Sequence, residues 1–405
     1  MTSNQTNQLY TLRFFQVCVA VVLFMTGLAL QFHFGQYVEF LGHGVDTLGR
    51  ILSISMIGTL AIRLHIGRWI DRFGCRPTWI CGALIVALCV GSLQFVERLW
   101  LLTLLRAVST MASAAVMTTV AVFAALTAPP HRRAESIGTI GMAGFVGMIA
   151  GPTLGDWIFA GGGESIAPYR VFFSASALCS LLACGVVGLI AMPMTSESAT
   201  TASGNAVKPV AGRPSQVRII LEHWPGMILL IGVVFSMAFC LQSMFLERLA
   251  EARGFRDIKL FFLAYGPTAM LLRVVFRRLP ERLGRSRTLV LGMLLMAIGQ
   301  LTLRNVQVPY QLVLPGILMG AGHSFIFPSM VDLAAERLPL AFRGTGTSMI
   351  LGAGDVGMLI GFAGLGGIID AYGFDTALTV LASTVLGTAA IFALSRPKKI
   401  FLRTR

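Results

Sequence analysis

Charged residues are scarce in this chain. Lys, Arg, Asp and Glu make up 12% of its 405 residues, whereas a soluble protein of this length carries about a quarter. Hydrophobic residues make up 55% of the sequence. A surface with so little charge is solvated mostly by lipid, which excludes an ordinary soluble domain.

Motifs that carry enzymatic or metal chemistry are also missing. The sequence has no Walker loop, nucleophile elbow, HExxH segment or paired-carboxylate hydrolase pattern. Its seven cysteines stand singly, without CxxC or Cys/His ligand spacing. We therefore expect no enzymatic activity, no cofactor, no metal site and no disulfide.

Long apolar segments are abundant. A helix needs about 20 predominantly apolar residues to cross the hydrocarbon layer. Such segments occur at 11–32, 47–66, 78–96, 99–125, 137–160, 168–191, 224–246, 258–278, 286–304, 309–334, 344–368 and 374–395. The predicted fold class is an all-α membrane protein with twelve transmembrane helices. The polar N-terminus lacks a small-residue cleavage site, so we expect no cleaved signal peptide.

The net charge of +14 is concentrated in the loops on one side of the predicted membrane spans. With a cytoplasmic N-terminus, 21 of the 32 Lys and Arg residues fall in cytoplasmic segments, 8 in outer segments and 3 within spans. This is the positive-inside bias, which predicts that both termini are cytoplasmic, in a bacterial inner (plasma) membrane. The basic tail is expected to contact lipid headgroups. No base-reading motif accompanies the charge, so nucleic acid is not an expected partner.

The longest polar interval divides the spans six and six. It reads "TSESATTASGNAVKPVAGRPSQVR" at 195–218, a composition typical of a flexible linker. The predicted organisation is a six-helix bundle at 1–194, a cytoplasmic linker at 195–222, and a second six-helix bundle with the basic tail at 223–405.

The two halves repeat each other. Residues 67–76, "GRWIDRFGCR", shifted by 210 positions, fall on "RRLPERLGRS" at 277–286. The shift aligns Asp71 with Glu281, Arg72 with Arg282, Gly74 with Gly284, Arg63 with Arg273, Arg133 with Arg343, Gly147 with Gly357, and Gly151 with Gly361. A constant offset through several loops and spans predicts two pseudo-symmetric halves, and such internal repeats are typical of secondary transporters.

The loop motif between spans 2 and 3 resembles the signature of the major facilitator superfamily, and the resemblance covers nearly the whole chain. The matching positions are Gly67, Asp71, Arg72, Gly74 and Arg76, while Cys75 departs from the family pattern. The resemblance implies that Asp71 meets the start of span 11 near Arg343 and latches the cytoplasmic gate, with Glu281, Arg282 and Gly284 as a degenerate second copy. The alternative is that these charges only anchor the topology.

Span 5 carries a second motif, formed by Gly138, Gly147, Gly151, Pro152 and Gly155. Its spacing resembles that of superfamily exporters that exchange substrate against protons, although Asp156 stands where a further Gly is usual. Small residues at every fourth position also allow close helix packing in any membrane bundle, which is the alternative explanation.

Three ionisable residues within spans are candidates for proton coupling or substrate binding. Arg106 in span 4 matches an arginine that related antiporters use near such sites; a structural pairing is the alternative. Asp355 in span 11 is the leading proton carrier because burial favours a protonated carboxyl group; an ion pair with Arg273 is the alternative. His323 in span 10 suits proton exchange or substrate contact; a packing role is the alternative.

Further polar side chains are expected to face the interior, because polar groups facing lipid are costly. These are Gln31, His33 and Gln242. Asp46, Asp156 and Glu247 lie near span ends and are expected to be solvated.

The sequence therefore predicts a proton-coupled antiporter that exports a small organic molecule by alternating access. A proton symporter or facilitator that imports a metabolite is the first alternative. A non-transporting membrane receptor or scaffold of the same descent is the second. The expected partners are a small-molecule substrate, protons and lipid, and a monomer is expected.

Overall fold

The computed structural model describes residues 10–127, 132–161, 165–190, 224–276, 279–338 and 343–395. Within these ranges the secondary structure is helical and contains no strand. The linker expected at 195–222 lies outside the described residues.

Six membrane-spanning helices form the N-terminal half. Helix α1 (Leu12–Leu30) continues through a 3-10 turn (Gln31–His33) into a last short segment (Phe34–Phe40). It is followed by α2 (Val45–Phe73), α3 (Cys75–Leu93), α4 (Leu99–Thr127), α5 (Arg133–Phe159) and α6 (Ala167–Leu189).

The C-terminal half repeats this arrangement. Helix α7 (Met227–Cys240) continues through a π turn (Leu241–Phe245) into Leu246–Ala252. It is followed by α8 (Lys259–Val275), a short helix (Leu279–Leu283), α9 (Arg285–Leu303) and α10 (Val313–Arg337). The last element, Arg343–Leu394, is kinked at Gly373, which separates α11 (343–372) from α12 (374–394).

The prediction of twelve spans is confirmed by this fold. Ten described segments are long and apolar enough to cross a membrane, and one of them contains both α11 and α12. Helix α8 has 17 residues, about 26 Å at 1.5 Å per residue, which nearly matches a hydrocarbon core of about 30 Å.

Two glycines from the repeated loop motif end one helix and start the next. Gly74 lies between α2 and α3 with φ of 85°, and Gly284 lies before α9 with φ of 90°. Positive φ strains residues that carry a Cβ atom, so glycine is required at both tight turns. The same offset that aligns the two loops in sequence therefore aligns their backbone conformations.

The helices of the two halves pack in the same way. In the first half, a Cβ atom added to Gly147 on α5 would collide with the Val22 carbonyl of α1. In the second half, a Cβ atom added to Gly357 on α11 would collide with the Val233 carbonyl of α7. The repeat predicted from sequence thus reappears as two equivalent helix–helix contacts.

Contacts between the halves run along α2 and α11, and along α5 and α8. Gly49 on α2 packs against the backbone of Phe362, and the Ser53 hydroxyl donates to the Leu359 carbonyl at 2.8 Å. We call the end of the bundle where α1 ends and α2 begins the far face, and the opposite end the N-terminal face. The α2–α11 contact lies toward the far face.

Candidate functional site

Both halves place polar side chains at a break in their first helix. The 3-10 turn of α1 carries Gln31 and His33, and the π turn of α7 carries Gln242. All three side chains are buried, which confirms that they face the interior. Irregular turns inside helices are common at functional sites, and broken helices line the binding sites of many transporters.

Arg106 on α4 is buried beside the break in α1. Its Nη1 donates to Gln31 Oε1 at 3.1 Å, and its guanidinium lies 4.8 Å from the centre of the Phe34 ring. Gln31 donates in turn to the Ser176 hydroxyl at 3.0 Å. Arg106 Nε has no hydrogen-bond partner among the described residues, nor does Arg106 form an ion pair with any of them. The arginine is therefore held by neutral groups and a ring.

A cluster of three ionisable side chains lies near the far face, and we call it the far-face cluster. His33 Nε2 is 3.3 Å from Asp156 Oδ1, and His33 Nδ1 is 3.7 Å from Glu247 Oε1. Each of the three side chains is at most 1% exposed. Asp156 belongs to the N-terminal half and Glu247 to the C-terminal half, so the imidazole lies between one carboxylate from each half.

Both carboxylates have further polar neighbours. Asp156 Oδ2 accepts the backbone N–H of Lys259 at 2.6 Å, which ties α5 to the start of α8. Asp156 also lines a pocket of about 350 Å³ together with Gln36, Arg256 and Asp257. This pocket brings solvent-accessible space from the far face next to the cluster. Glu247 lies beside the side chain and backbone N–H of Gln36, with the charge of Arg256 nearby.

The expectation that Asp156 and Glu247 are solvated was wrong. Counted over the whole residue, backbone included, Asp156 is 4% exposed and Glu247 is 1% exposed. Their positions near span ends suggested contact with water, but both turn toward His33 at the junction of the halves. The departure at Asp156 from the glycine-rich motif of span 5 was the one sequence signal that could have identified it.

Asp355 forms an ion pair between the halves. Arg63 on α2 contacts both carboxylate oxygens of Asp355 on α11, with Nη2 at 3.0 Å from Oδ1. The alternative that paired Asp355 with Arg273 is therefore wrong, because α11 faces α2 and α8 faces α5. Asp355 is buried, as expected.

His323 on α10 lies in a group of aromatic rings. The Tyr265 hydroxyl is hydrogen-bonded to His323 Nδ1, and Gln242 Nε2 donates to the same hydroxyl at 3.1 Å. Five ring centres lie within 6.0 Å of the imidazole centre, those of Phe145, Phe235, Phe239, Tyr265 and Phe327. Gln242 and His323, expected separately, are thus joined through Tyr265.

The glycines of span 5 form a close seam with α1. A Cβ atom added to Gly151 would lie 2.5 Å from the backbone nitrogen of Leu30, and one added to Gly155 would collide with the His33 ring. The Pro152 carbonyl lies 3.3 Å from His33 Nε2. Gly138 has no described atom within 4 Å of its Cβ position. The seam therefore includes Gly147, Gly151 and Gly155, and it positions His33.

The loop motif is described only in part. Arg76 donates to the Gly188 carbonyl, and Gly67 has no described atom within 4 Å of its Cβ position. Arg72, Glu281 and Arg282 are exposed. The side chains of Asp71 and Arg343 lie outside the described part of the structure, so the latch stays a prediction.

Comparison with known proteins gives one family. The chain matches the model of the Major Facilitator Superfamily over residues 14–280 and 229–401. It is similar to the multi-drug resistance efflux pump PmrA of Streptococcus pneumoniae serotype 4, with 23% identity over 320 residues covering 75% of this chain and 76% of that protein. It is also 23% identical over 362 residues to the multidrug resistance protein MdtG of Salmonella typhimurium, covering 87% of each chain.

Solved transporters share the fold. The nucleoside transporter NupG matches with a TM-score of 0.73 and 15% identity, over 95% of this chain and 99% of that one. A D-xylose–proton symporter matches with a TM-score of 0.76 and 14% identity, over 95% and 98% of the two chains. At these identities the likeness establishes the fold alone.

Proposed function

The chain belongs to the major facilitator superfamily and is an integral membrane transporter, and we propose that it exports a small organic molecule in exchange for protons. Two similar bacterial proteins are named as multidrug resistance or efflux proteins, which supports export. The glycine seam between α5 and α1 supports the same direction, because its spacing resembles that of exporters.

The observation that carries the proton coupling is the far-face cluster. A neutral imidazole donates from one ring nitrogen, whereas a protonated one donates from both. In this cluster each ring nitrogen of His33 faces a carboxylate, one from each half. Protonation of His33 therefore adds attraction toward both halves at once and holds the far face closed.

Loss of a proton from the cluster has the opposite effect. Two carboxylates and a neutral imidazole leave uncompensated negative charge in a buried place, which is costly. Separation of the halves at the far face lets water reach these groups. A proton can bias the two conformations in this way because it binds them with different affinity.

Other charged groups surround the cluster at its rim. Arg248 contacts Glu39 and Glu251, and Lys259 pairs with Asp257 at 3.3 Å. Arg256 lines the adjoining pocket. Most of these charges are already paired, so the proton on His33 remains the variable charge of the cluster. Asp355 is also paired, with Arg63, and we therefore place the coupling proton on the far-face cluster rather than on Asp355.

The charge distribution supports an orientation for this exchange. The N-terminal face carries the excess of Lys and Arg, which favours the cytoplasmic side. The far face and its pocket then open to the outside, where protons enter when the outside is acidic. Similarity to bacterial proteins supports the inner membrane of a bacterium as the location.

Symport is the second candidate, because the D-xylose–proton symporter shares the fold. Exchange and symport move protons in opposite directions relative to the cargo. Inside-out membrane vesicles with an acidic interior distinguish antiport from symport. The measurement is the accumulation of a panel of aromatic anions, cations and neutral compounds inside the vesicles. Antiport predicts that at least one compound accumulates while the interior becomes less acidic.

Replacement of the histidine in the far-face cluster tests whether this cluster couples transport to protons. We expect His33→Gln to lose the stimulation of flux by the pH gradient, whereas His65→Gln, on an exposed position of α2, keeps it. Flux that does not respond to the gradient would remove the proton coupling and leave facilitated transport. Flux that is driven in the opposite direction would establish symport.

A further inference from the structure

The repeat places two arginines in equivalent positions with different partners. Arg63 and Arg273 are separated by the 210-residue offset, and so are Phe145 and Asp355. Arg63 reaches across the halves to the carboxylate of Asp355. Arg273 reaches across the halves to the ring of Phe145, with its guanidinium 5.1 Å from the ring centre. The carboxylate that neutralises the first arginine is thus replaced by a phenyl ring beside the second.

Arg273, in the last turn of α8 and partly buried, consequently carries a charge without a carboxylate partner among the described residues. Its guanidinium also lies 5.9 Å from the Phe327 ring centre, and its Nε has no hydrogen-bond partner among the described residues. It forms no ion pair with a residue of the described part of the chain. Partial burial of a cation without a counter-charge is costly, and two ring faces offset only part of this cost.

The groups beside Arg273 are hydrogen-bond donors. Because Gln242 donates to the Tyr265 hydroxyl, that hydroxyl gives its own proton to His323 Nδ1. The remaining nitrogen of His323, Nε2, then carries a proton that it can donate. The rings around His323 supply flat apolar surface, with His323, Phe239 and Phe327 themselves partly exposed.

We propose that Arg273, His323 and the surrounding rings bind the cargo, and that the cargo is an aromatic organic anion. This rests on the proposed transport function and names its substrate class. The anionic group takes the place that Asp355 occupies beside Arg63, and pairs with the Arg273 guanidinium. The flat part of the cargo stacks on the rings around His323.

A ring-lined site would ordinarily favour a cationic ligand. In this protein the Phe145 and Phe327 rings already hold a cation supplied by the chain itself. A cationic ligand would meet the like charge of Arg273, whereas an anion gains a charge-assisted hydrogen bond. Arg106, which also lacks a carboxylate partner among the described residues, adds positive potential to the interior.

Equilibrium binding to the purified full-length transporter tests this assignment without requiring transport. The probes are 1-naphthoate and 1-naphthylmethylammonium, which share a ring system and differ in charge. We expect naphthoate to bind at least about tenfold more tightly than the ammonium probe. Arg273→Gln should weaken naphthoate binding by about tenfold or more, the size expected for loss of a charge-assisted hydrogen bond.

Three further variants sharpen the test. Arg273→Lys should keep the preference for the anion, and Arg304→Gln, at an exposed position, should bind as the unmodified protein does. Phe145→Asp places a carboxylate beside Arg273, in the position that Asp355 has beside Arg63. This variant should abolish naphthoate binding although Arg273 is still present, because the new carboxylate pairs with it. Absence of naphthoate binding, a preference for the ammonium probe, or unchanged affinity in folded Arg273→Gln would each overturn the assignment. If export of a cation is found in the vesicles, the transport function stands and the substrate class fails.

Discussion

Arginine is accommodated in the membrane interior of this protein in different ways. Arg63 is neutralised by Asp355, whereas Arg106 is held by the Gln31 amide and the Phe34 ring. A buried charge without a counter-charge costs about 2.5–3.5 kcal/mol on insertion scales. Such a cost is retained where the charge serves a function, and we therefore propose that Arg106 acts in the transport cycle rather than in stabilising the fold.

Replacement of Arg106 distinguishes a role in transport from a role in stabilising the fold. We expect Arg106→Ala to abolish transport, while its thermal unfolding temperature stays at or above that of the unmodified protein, because the variant removes a charge without orphaning a carboxylate. Flux in vesicles and unfolding of the purified protein are the two measurements. Arg98→Ala, at the exposed position just before α4, is the matched control. Unmodified flux in Arg106→Ala would contradict the role.

Sequence reasoning identified several interior polar residues but not their partners. Gln31, His33 and Asp355 were expected inside because polar groups in lipid are costly. Which arginine meets Asp355 depends on which helices of opposite halves face each other, and the repeat makes Arg63 and Arg273 equivalent in sequence. The choice is made by packing, since α11 faces α2.

The helices themselves were predictable because their apolar lengths and repeated glycines are local properties of the sequence. The breaks in α1 and α7 were not, since a 3-10 turn at Gln31–His33 and a π turn at Leu241–Phe245 leave no glycine or proline signal within them. The breaks change which side chains face the interior near the far face. The burial of Glu247, which closely follows the π turn, was missed for the same reason.

The glycine seam between α1 and α5 yields a prediction about helix packing. Gly151→Ala should lower stability by about 1–3 kcal/mol, the usual cost of overpacking, because its Cβ atom would lie 2.5 Å from the Leu30 nitrogen. Gly138→Ala, on the same helix with no described atom within 4 Å, should be neutral or stabilising through helix propensity. Thermal unfolding in detergent compares the two, and equal unfolding temperatures would contradict the seam.

At the scale of the whole molecule, the two halves meet toward the far face. They differ in the groups that surround their equivalent arginines, Arg63 and Arg273. The backbone repeat is preserved in the turns at Gly74 and Gly284 and in the seams at Gly147 and Gly357. The chemistry of the repeat is not preserved, because Asp355 and Phe145 are equivalent in position and opposite in character. In the proposed mechanism the similar backbones of the two halves move against each other, while the different side chains give an ion pair at Arg63 and a charged surface for cargo at Arg273.

Alternating access predicts that the far face is closed in one conformation and open in another. A reversible cross-link across the far face can test whether this opening is needed for transport. A Cβ atom on Gly44 would lie 3.6 Å from the Asp370 carboxylate, across the junction of the halves. We expect Gly44→Cys with Asp370→Cys to form a disulfide that keeps the halves joined after proteolysis at a site inserted in the linker, and to stop transport until a reductant is added. Gly42→Cys with Asp370→Cys is the matched control, because Gly42 has no described atom within 4 Å of its Cβ position. Because alternating access requires the far face to open, full transport by the cross-linked protein would contradict rocking of the halves about this junction.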